Sequence, residues 1–465
     1  MTPSEAFVET LIKQDVKYVF GIAGSAFMDA LDLFPIAGIR YISVQHEQNA
    51  VHMADGYARI TGKHGVCAAQ NGPGITNFVT ALQGCYWSHS PVVVLTPDHS
   101  SMQTGTGGFQ ECNQLKIFES MVKYQGQITN PKRVAEITSR AFDIAINDKG
   151  PTQINIPRDF WYGKYDFTIP DPLIIERGPG GPHSIQKAKD VLSKAKQPVI
   201  MVGGGVASSR ANIESAIGLA ESLKCPVVTT YLHGDAFPQD HPLCAGILSY
   251  GGSLGAMNVI KDADVVLALG TRINPYMKNP QYGVEWWPKN AKLIQVDIDS
   301  RRLGLTCPVE VAINGDVRLF MDDLTSYFTS NDGIKDSIAN GLLDNNNINN
   351  RLSKARQYVE SWNNKLNDMT NDNRLCQEGK VRPRQALSAV QKALLPMNDV
   401  MISVDTGTNL DYQPDYAKVA ESFGAVGFRC THVDEIEDAV KKAIDIQMKD
   451  GKPSVVEIVC QPVDM

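Results

Sequence analysis

The chain has 465 residues, of which 43% are hydrophobic and 20% are charged, a balance that fits a soluble globular protein of about three domains. Its formal net charge is −7, and its 44 basic residues are scattered along the sequence, which argues against nucleic acid as the main partner. No apolar run is long enough to span a membrane, so no membrane partner is expected.

The amino-terminal residues and the cysteines both indicate a cytoplasmic protein. Residues 1–7 contain acids and lack the basic-then-apolar pattern of a secretory signal. Instead, Thr2, Pro3 and Glu5 predict a capped helix start. The nine cysteines occur singly, without any C-x-x-C pair, as expected for thiols in a reducing compartment.

Short β-branched runs alternate with helical segments along the first domain, residues 1–175, which predicts a parallel sheet wrapped by helices. In one such helix Ala54, Tyr57 and Ala58 recur with helical spacing, so this helix is expected to pack one face on the sheet. His52, in the same helix, is interpreted as a packing or surface residue. The predicted strands of this domain are residues 18–22, 39–45, 66–70 and 92–96.

A second domain, residues 183–328, follows the turn-rich residues 178–182. It repeats the alternation of strands and helices and includes a predicted helix at residues 213–223. Its predicted strands are residues 199–202, 227–230, 265–269 and 293–297. Residues 329–380 are polar and rich in Asn and Asp, which is typical of a linker with some helix rather than a core.

The third domain, residues 381–465, is shorter than the roughly 100–150 residues that a full domain uses. It begins with a helix from Arg382, and a second helix is predicted from Val433. Its predicted strands are residues 400–404, 425–428 and 455–459. At Leu410 the sequence passes directly to Asp411, and we expect a segment to be missing at that junction.

Glu47 stands where an apolar strand gives way to a helix, in the segment Val-Gln-His-Glu-Gln-Asn-Ala of residues 44–50. A carboxylate at this position has two interpretations. It can be an ordinary helix-start acid, favoured by the helix dipole. It can also be a catalytic acid at the carboxyl end of a strand.

Two glycine-rich turns follow strands and open helices. In residues 203–205 three glycines invite a dinucleotide-binding interpretation, but Ser208 replaces the third glycine of that fingerprint, so a tight turn beneath a helix is the better interpretation. In the turn Asn71-Gly72-Pro73-Gly74, Pro73 lacks the N–H that a phosphate cradle needs. Its backbone is better suited to lie along a flat ring.

These motifs resemble those of thiamine diphosphate-dependent enzymes, and several further segments resemble the sulfoacetaldehyde acetyltransferase family in particular. The segments that carry the closer resemblance are residues 21–27, 69–78, 107–111, 153–161, 233–238 and 270–275. The related acetohydroxyacid synthases share the His-Glu, Gly-Pro-Gly and Phe-Gln-Glu elements. They typically carry Ser where this chain has Asn71, and they do not usually show Tyr86-Trp87.

The resemblance implies a fold of three doubly wound parallel-sheet α/β domains, the third incomplete, and a reaction. Sulfoacetaldehyde and phosphate would become acetyl phosphate and sulfite through a thiamine-bound acetyl intermediate, as in taurine and other sulfonate metabolism. The family also implies thiamine diphosphate and Mg²⁺ as cofactors and a homodimer or homotetramer. Two alternatives stay open: an acetohydroxyacid synthase or 2-oxoacid decarboxylase, and a non-catalytic homologue that lacks the diphosphate site.

The resemblance also implies roles for individual residues. Glu47 would activate the cofactor by hydrogen bonding to N1′ of its aminopyrimidine, and Gln110 would be the second catalytic residue. Lys123 is interpreted as a solvated helix charge and is left out. The other implied cofactor-binding residues are Asn71, Gly72, Pro73, Gly74, Asn77 and Gly407, and the implied substrate-binding residues are Gly24, Ser25, His46, Gln110 and Arg272.

One family motif is missing. Thiamine enzymes hold the diphosphate through Mg²⁺ with Gly-Asp-Gly followed by Asn, and residues 405–465 contain neither element in that arrangement. Either the protein lacks the diphosphate half and is inactive, or the polypeptide is longer and the segment after Leu410 is absent from this sequence. The second explanation is favoured because a natural deletion would remove central strands and expose the remaining ones. The metal ligands therefore stay unknown.

Overall fold

The computed structural model describes residues 1–371, 380–394 and 415–460. Its chain divides into two compact units, Met1–Tyr358 and Val359–Met465. The first unit contains two six-stranded parallel sheets, and the second contains a two-stranded parallel sheet.

The sheet of the N-terminal domain has the strand order β2-β1-β3-β4-β6-β5. Its central strands β3 and β4 are buried almost throughout and are rich in valine, as expected for parallel strands covered on both faces. The strands are β1 (Tyr18–Gly21), β2 (Arg40–Ser43), β3 (Gly65–Ala68), β4 (Val92–Asp98), β5 (Tyr124–Gln127) and β6 (Thr152–Pro157).

Successive strand residues point to opposite sides of this sheet, so both of its faces carry apolar side chains. Helices cover both faces. Val93 and Leu95 of β4 pack in one core cluster, and Val92 and Val94 pack in the other. The capping box at Thr2 and Glu5 is confirmed. The helices are α1 (Pro3–Lys13), α2 (Met28–Leu31), α3 (Glu47–Thr61), α4 (Pro73–Thr76), α5 (Val79–Ser88), α6 (Gln114–Phe118) and α7 (Val134–Asn147).

The middle domain repeats this architecture with the strand order β12-β11-β10-β7-β8-β9. Its strands are β7 (Pro198–Val202), β8 (Val227–Thr229), β9 (Cys244–Ile247), β10 (Val265–Leu269), β11 (Lys292–Asp297) and β12 (Val311–Asn314). Its helices are α8 (Pro182–Ser193), α9 (Gly204–Ala207), α10 (Arg210–Leu223), α11 (Leu254–Lys261) and α12 (Val317–Thr329).

The polar segment after α12 is more helical than its composition predicts, because it forms α13 (Asn331–Asn340) and α14 (Asn345–Asn371). Leu342, between these helices, is fully buried in the core of the middle domain. Arg351 of α14 is 2% exposed and donates hydrogen bonds to the carbonyl oxygens of Leu223 and Lys224 at the end of α10. Part of the predicted linker therefore packs as middle-domain structure.

The second unit has strands β13 (Val426–Cys430) and β14 (Ser454–Ile458), which pair in parallel. Its helices are α15 (Pro383–Leu394), α16 (Tyr416–Ser422) and α17 (Val433–Asp450). The helix starts predicted at Arg382 and Val433 are confirmed to within a residue. The predicted strand at residues 400–404 and the junction after Leu410 lie outside the described residues. No helix in the described parts of the chain is both long enough and apolar enough to cross a membrane.

Candidate active site

The predicted site residues of the N-terminal domain follow the carboxyl ends of parallel strands. Gly24 and Ser25 follow β1, Asn71 follows β3, and residues 99–111 follow β4. In the sheet β3 lies between β1 and β4, so these three loops leave neighbouring strands at the same edge.

Glu47 is the first residue of α3, directly after the extended residue His46. Asn77 Nδ2 donates a hydrogen bond of 2.8 Å to Glu47 Oε2, and Oε1 faces Gly74, where an added Cβ would lie 3.2 Å away. In the described parts of the chain, Asn77 is the side chain that donates to this carboxylate. The second oxygen is therefore available to a donor such as an aminopyrimidine nitrogen.

The turn before α4 has a conformation that only glycine accepts readily. Gly72 has φ +68°, and a Cβ there would lie 2.6 Å from the carbonyl oxygen of Gln110. The Gly72 N–H donates to Gln114 Oε1 at 3.2 Å, and Pro73 occupies the first turn of α4. With one N–H used and the next absent, this turn does not form a phosphate cradle, which agrees with the interpretation of a surface for a flat ring.

Gln70 connects the predicted substrate residues, and sequence reasoning did not single it out. Its Nε2 donates to Asn71 Oδ1 at 2.6 Å and to Gln110 Oε1 at 2.9 Å, and lies 3.5 Å from Ser25 Oγ. A Cβ at Gly24 would lie 2.2 Å from Gln70 Oε1, so glycine is needed there for space. The only sequence signal for Gln70 is its position between the end of β3 and the Gly-Pro-Gly turn.

Asn71 ties the Gly-Pro-Gly turn to the loop of residues 99–111. Its side chain is 2% exposed, and its Nδ2 donates to the carbonyl oxygens of Phe109 and Gln110 at 3.1 and 3.2 Å. Gln110 has φ +57°, an unusual backbone conformation for a residue other than glycine. The structure therefore brings Gly24, Ser25, Asn71 and Gln110 together in one polar network, which we call the Gln70 network.

The loop that carries Gln110 is anchored by the next residue. The carboxylate of Glu111 accepts hydrogen bonds from the N–H groups of Gly105, Gly107 and Gly108 at 2.6, 2.9 and 3.0 Å. The N–H of Gly105, joined by those of Gly108 and Gly107, lowers the pKa of Glu111. These bonds fix the backbone that places Gln110 against Gln70.

His46 and Arg272 are placed differently from the Gln70 network. His46 caps α3, because its Nδ1 accepts a hydrogen bond from the Gln48 N–H at 3.2 Å. Arg272 belongs to the middle domain, and its guanidinium carbon lies 4.5 Å from the ring centroid of Trp87. Their substrate-binding roles stay predictions.

Lys123 is not the solvated helix charge that the sequence suggested. It lies just before β5, its side chain is only 2% exposed, and its Nζ lies 3.5 Å from Asp299 Oδ2. The interpretation failed because the partners of Lys123, Tyr86 and Asp299, are distant in sequence.

The residues 203–205 pack tightly. A Cβ at Gly205 would lie 2.7 Å from the Cα of Gly270, and one at Gly204 would lie 2.8 Å from Nε2 of His233. Gly205 is needed for close backbone approach and Gly204 leaves room for the His233 ring, in agreement with the interpretation of a tight turn.

The described residues fit one end of thiamine diphosphate and not the other. Glu47 with Asn77, and the turn at Gly72, offer an acceptor and a surface to the aminopyrimidine. For the diphosphate, the sequence lacks Gly-Asp-Gly, and the described part of the chain contains no group of three or more His, Cys, Asp or Glu able to hold a metal ion. Gly407, the predicted cofactor contact of the third domain, lies outside the described residues.

Comparisons with known proteins bear on the sites for both ends of the cofactor, the aminopyrimidine and the diphosphate. The N-terminal TPP binding domain of thiamine pyrophosphate enzymes matches residues 1–117, their central domain matches residues 185–324, and their C-terminal TPP binding domain matches residues 362–458.

Similar curated proteins extend this result. Sulfoacetaldehyde acetyltransferase of Alcaligenes xylosoxydans xylosoxydans is 39% identical over 568 residues, which cover 99% of this chain and 93% of the relative. Sulfoacetaldehyde acetyltransferase of Castellaniella defragrans is 46% identical over 418 residues, 88% of this chain and 68% of the relative. A probable acetolactate synthase large subunit of Methanocaldococcus jannaschii is 34% identical over 332 residues, 70% of this chain and 56% of the relative. The chain belongs to the thiamine pyrophosphate enzyme family.

Proposed function

We propose that this protein is a sulfoacetaldehyde acetyltransferase, which converts sulfoacetaldehyde and inorganic phosphate into acetyl phosphate and sulfite. The observation that carries the proposal is the likeness to relatives of that name, at 39% and 46% identity over most of the chain, against 34% for an acetolactate synthase relative. The geometry of the N-terminal domain supports it with an acceptor for the cofactor and a polar network beside it.

Glu47 is the proposed catalytic residue for cofactor activation. Thiamine diphosphate, when bound, supplies a nucleophilic carbon to the substrate carbonyl. Glu47 would share a proton with N1′ of the aminopyrimidine, and Asn77 would hold the carboxylate in place through its 2.8 Å hydrogen bond. The start of α3 adds a favourable dipole for the charged form of the carboxylate.

The Gln70 network is proposed to bind the substrate. Gln110 and Ser25 carry polar groups that can donate to sulfonate oxygens. The side-chain amide of Gln70 contacts both side chains and holds them in place. A preorganised set of donors stabilises developing negative charge without reorganisation during the reaction. His46 and Arg272 are further candidates for the sulfonate.

The finer features of the proposal follow the resemblance. They are Mg²⁺ at the diphosphate, a cytoplasmic location, a role in taurine degradation and a homo-oligomer. The Mg²⁺ ligands would belong to residues that the described chain does not supply, so no step of the reaction is assigned to them.

The test is a product assay. Purified protein with thiamine diphosphate, Mg²⁺, sulfoacetaldehyde and phosphate should release sulfite and acetyl phosphate, and pyruvate should be a poor substrate. Gln110→Ala should raise KM for sulfoacetaldehyde, because it removes a binding contact shared by the ground and transition states. Rapid CO₂ release from pyruvate without sulfite from sulfoacetaldehyde would assign the protein to the acetolactate synthase or decarboxylase branch instead.

A further inference from the structure

A cluster of charged and aromatic side chains lies where the N-terminal and middle domains meet within the first compact unit. We call it the seam cluster. Its members come from α5, from the residues before β5, and from the loops that follow β10 and β11. They are Trp87, Lys123, Arg272, Asp299, Arg301 and Arg302.

Trp87 is the centre of the seam cluster. The guanidinium carbons of Arg272 and Arg302 lie 4.5 and 5.2 Å from the centroid of its indole ring. Its neighbour Tyr86 packs edge-on against it, and Lys123 Nζ lies 5.1 Å from the Tyr86 ring. The aromatic rings thus hold three cations close together by cation–π contacts.

The seam cluster carries more positive than negative charge. Asp299 accepts hydrogen bonds of 2.8 and 3.0 Å from Arg301, and its carboxylate lies 3.5 Å from Lys123 Nζ and 3.6 Å from Arg302 Nε. In the part of the chain that the structure describes, Asp299 is the carboxylate within ion-pair distance of these cations. Arg272 makes no such pair with a described carboxylate. Asp297 and Asp148 act on Arg302 and Arg301 from beyond ion-pair distance, so the four cations outnumber the carboxylates that lie close to them.

Burial makes this imbalance costly. The side chains of Lys123 and Arg302 are 2% and 9% exposed, and Arg302 Nε is buried without a hydrogen-bond partner among the described residues. Burial, with the charges of Lys123 and Arg302, also lowers the pKa of nearby His89 to about 4. Buried cations that share too few counter-charges destabilise a protein, and a bound anion would reduce that cost.

The seam cluster is open to ligands from solvent. Trp87 is 43% exposed, and the Arg301 side chain is 63% exposed. Along α5, Trp87 is about 12 Å from the residues next to Asn77, at 1.5 Å per residue. The seam cluster is therefore distinct from the Glu47–Asn77 pair of the same subunit.

We propose that the seam cluster binds a tetrahedral oxyanion at the half-buried guanidinium group of Arg272, beside Trp87, where the buried cations Arg302 and Lys123 add electrostatic attraction. Planar guanidinium groups match such oxygens bidentately. The inference uses the proposed function only to name the two sources of the anion, which are free inorganic phosphate and the sulfonate group of the substrate.

The experiment measures binding without turnover. Inorganic phosphate is added to the protein while tryptophan fluorescence is recorded, and Trp87→Phe identifies the part of the signal that comes from Trp87. We expect a saturable change that Trp87→Phe abolishes. Calorimetry on the same samples measures the affinity independently of fluorescence.

Two arginine variants test the ligands. Arg272→Gln should weaken phosphate affinity about tenfold, the effect of one lost charge-assisted hydrogen bond. Arg301→Gln removes the cation that neutralises Asp299, so it should weaken phosphate affinity by a smaller factor, through lost electrostatic attraction. Arg210→Gln, at a middle-domain arginine that is 93% exposed, should leave it unchanged. Unfolding temperatures of all three variants show whether they fold. If Arg272→Gln does not fold, Arg301→Gln, at an exposed position, still tests the inference.

Methanesulfonate in place of phosphate distinguishes the two sources. Saturable binding of phosphate alone assigns the seam cluster to the acceptor, and tighter binding of methanesulfonate assigns it to the substrate. Binding of neither anion, or binding that Arg272→Gln and Arg301→Gln leave unaltered, would overturn the inference. Because no product is measured, this result is independent of the product assay for the proposed function.

Discussion

Glu47 is the residue on which the proposed chemistry depends most directly. Glu47→Gln keeps the size of the side chain and the hydrogen bond from Asn77 while removing the acid–base function. We expect nearly unchanged folding and cofactor affinity, and turnover slower by roughly 10²–10⁴. Exchange of the cofactor C2 proton, followed by NMR, measures this step directly.

The control for Glu47→Gln is Glu9→Gln, at an exposed glutamate of α1 in the same domain. It should leave exchange and turnover as they are. Unchanged C2 exchange in Glu47→Gln would show instead that Glu47 is an ordinary helix-start acid.

Asp297, at the end of β11, gives the protein a predicted pH dependence. Burial, aided by the charge of Asp299, raises the pKa of Asp297 to about 6. Because this exceeds the unfolded value near 4, the folded state binds the proton more tightly, and stability falls as pH rises from about 4 to about 6. Above that range the charged form costs up to about 3 kcal/mol of unfolding free energy.

Asp297→Asn removes this cost and keeps an oxygen that accepts from the Asp299 N–H. Its unfolding free energy, measured with urea, should exceed that of the parent protein at pH 7.5 and equal it near pH 4. Asp240→Asn, at an exposed aspartate of the same domain, should show no such difference. An equal effect of Asp297→Asn at both pH values would contradict the prediction.

At the scale of elements, the loop of residues 99–111 depends on Glu111. Because the folded-state pKa of Glu111 is lowered, its bonds to the glycine N–H groups are present above pH 4.5 and are lost as pH falls through that lower pKa. In Glu111→Ala we expect hydrogen exchange at Gly105, Gly107 and Gly108 to be at least about fivefold faster at pH 7.

Glu119→Ala is the matched control, because Glu119 is exposed just beyond the same loop. It should leave the three glycine amides protected. The parent protein should itself lose this protection on acidification, and protection that persists in Glu111→Ala would show that other contacts hold the loop.

The sequence predicted the central strands of the two large sheets better than their edge strands. The predicted strands match β1–β4, β7, β8, β10 and β11 to within about two residues. The missed strands β5, β9 and β12 lie at sheet edges, where short segments carry little apolar pattern. The missed β6 is buried but contains Gln153 and Asn155, whose hydrogen bonds to distant partners the local pattern cannot reveal.

The same limit applies to the site. Glu47 and the Gly-Pro-Gly turn were singled out because their signals are local. Gln70 was missed because its importance comes from Ser25 and Gln110, which are far away in sequence. Lys123 was misjudged for the same reason, since Asp299 belongs to another domain.

At the scale of the whole molecule, the third domain raises a question of length. The alignment with the Alcaligenes relative covers 568 positions, although the chain has 465 residues, so on the order of a hundred positions of the alignment face gaps in this chain. We expect the protein made in its own cells to exceed 50.9 kDa by on the order of 10 kDa, and the extra segment to contain Gly-Asp-Gly. Intact mass spectrometry tests this, and a mass near 50.9 kDa would favour the non-catalytic homologue.

The last prediction concerns assembly. In the family that the chain resembles, the pyrimidine half of one subunit meets the diphosphate half of another, so a single subunit would not contain a complete site. Several large apolar side chains of the N-terminal domain are also exposed, including Ile60 at 87%, Met102 at 84% and Phe109 at 75%, as expected of surfaces that a partner covers. We therefore expect at least a homodimer in sedimentation equilibrium. Specific activity should fall on dilution over the same concentration range in which the dimer dissociates. Full activity of a sedimenting monomer would show that each subunit contains its own complete site.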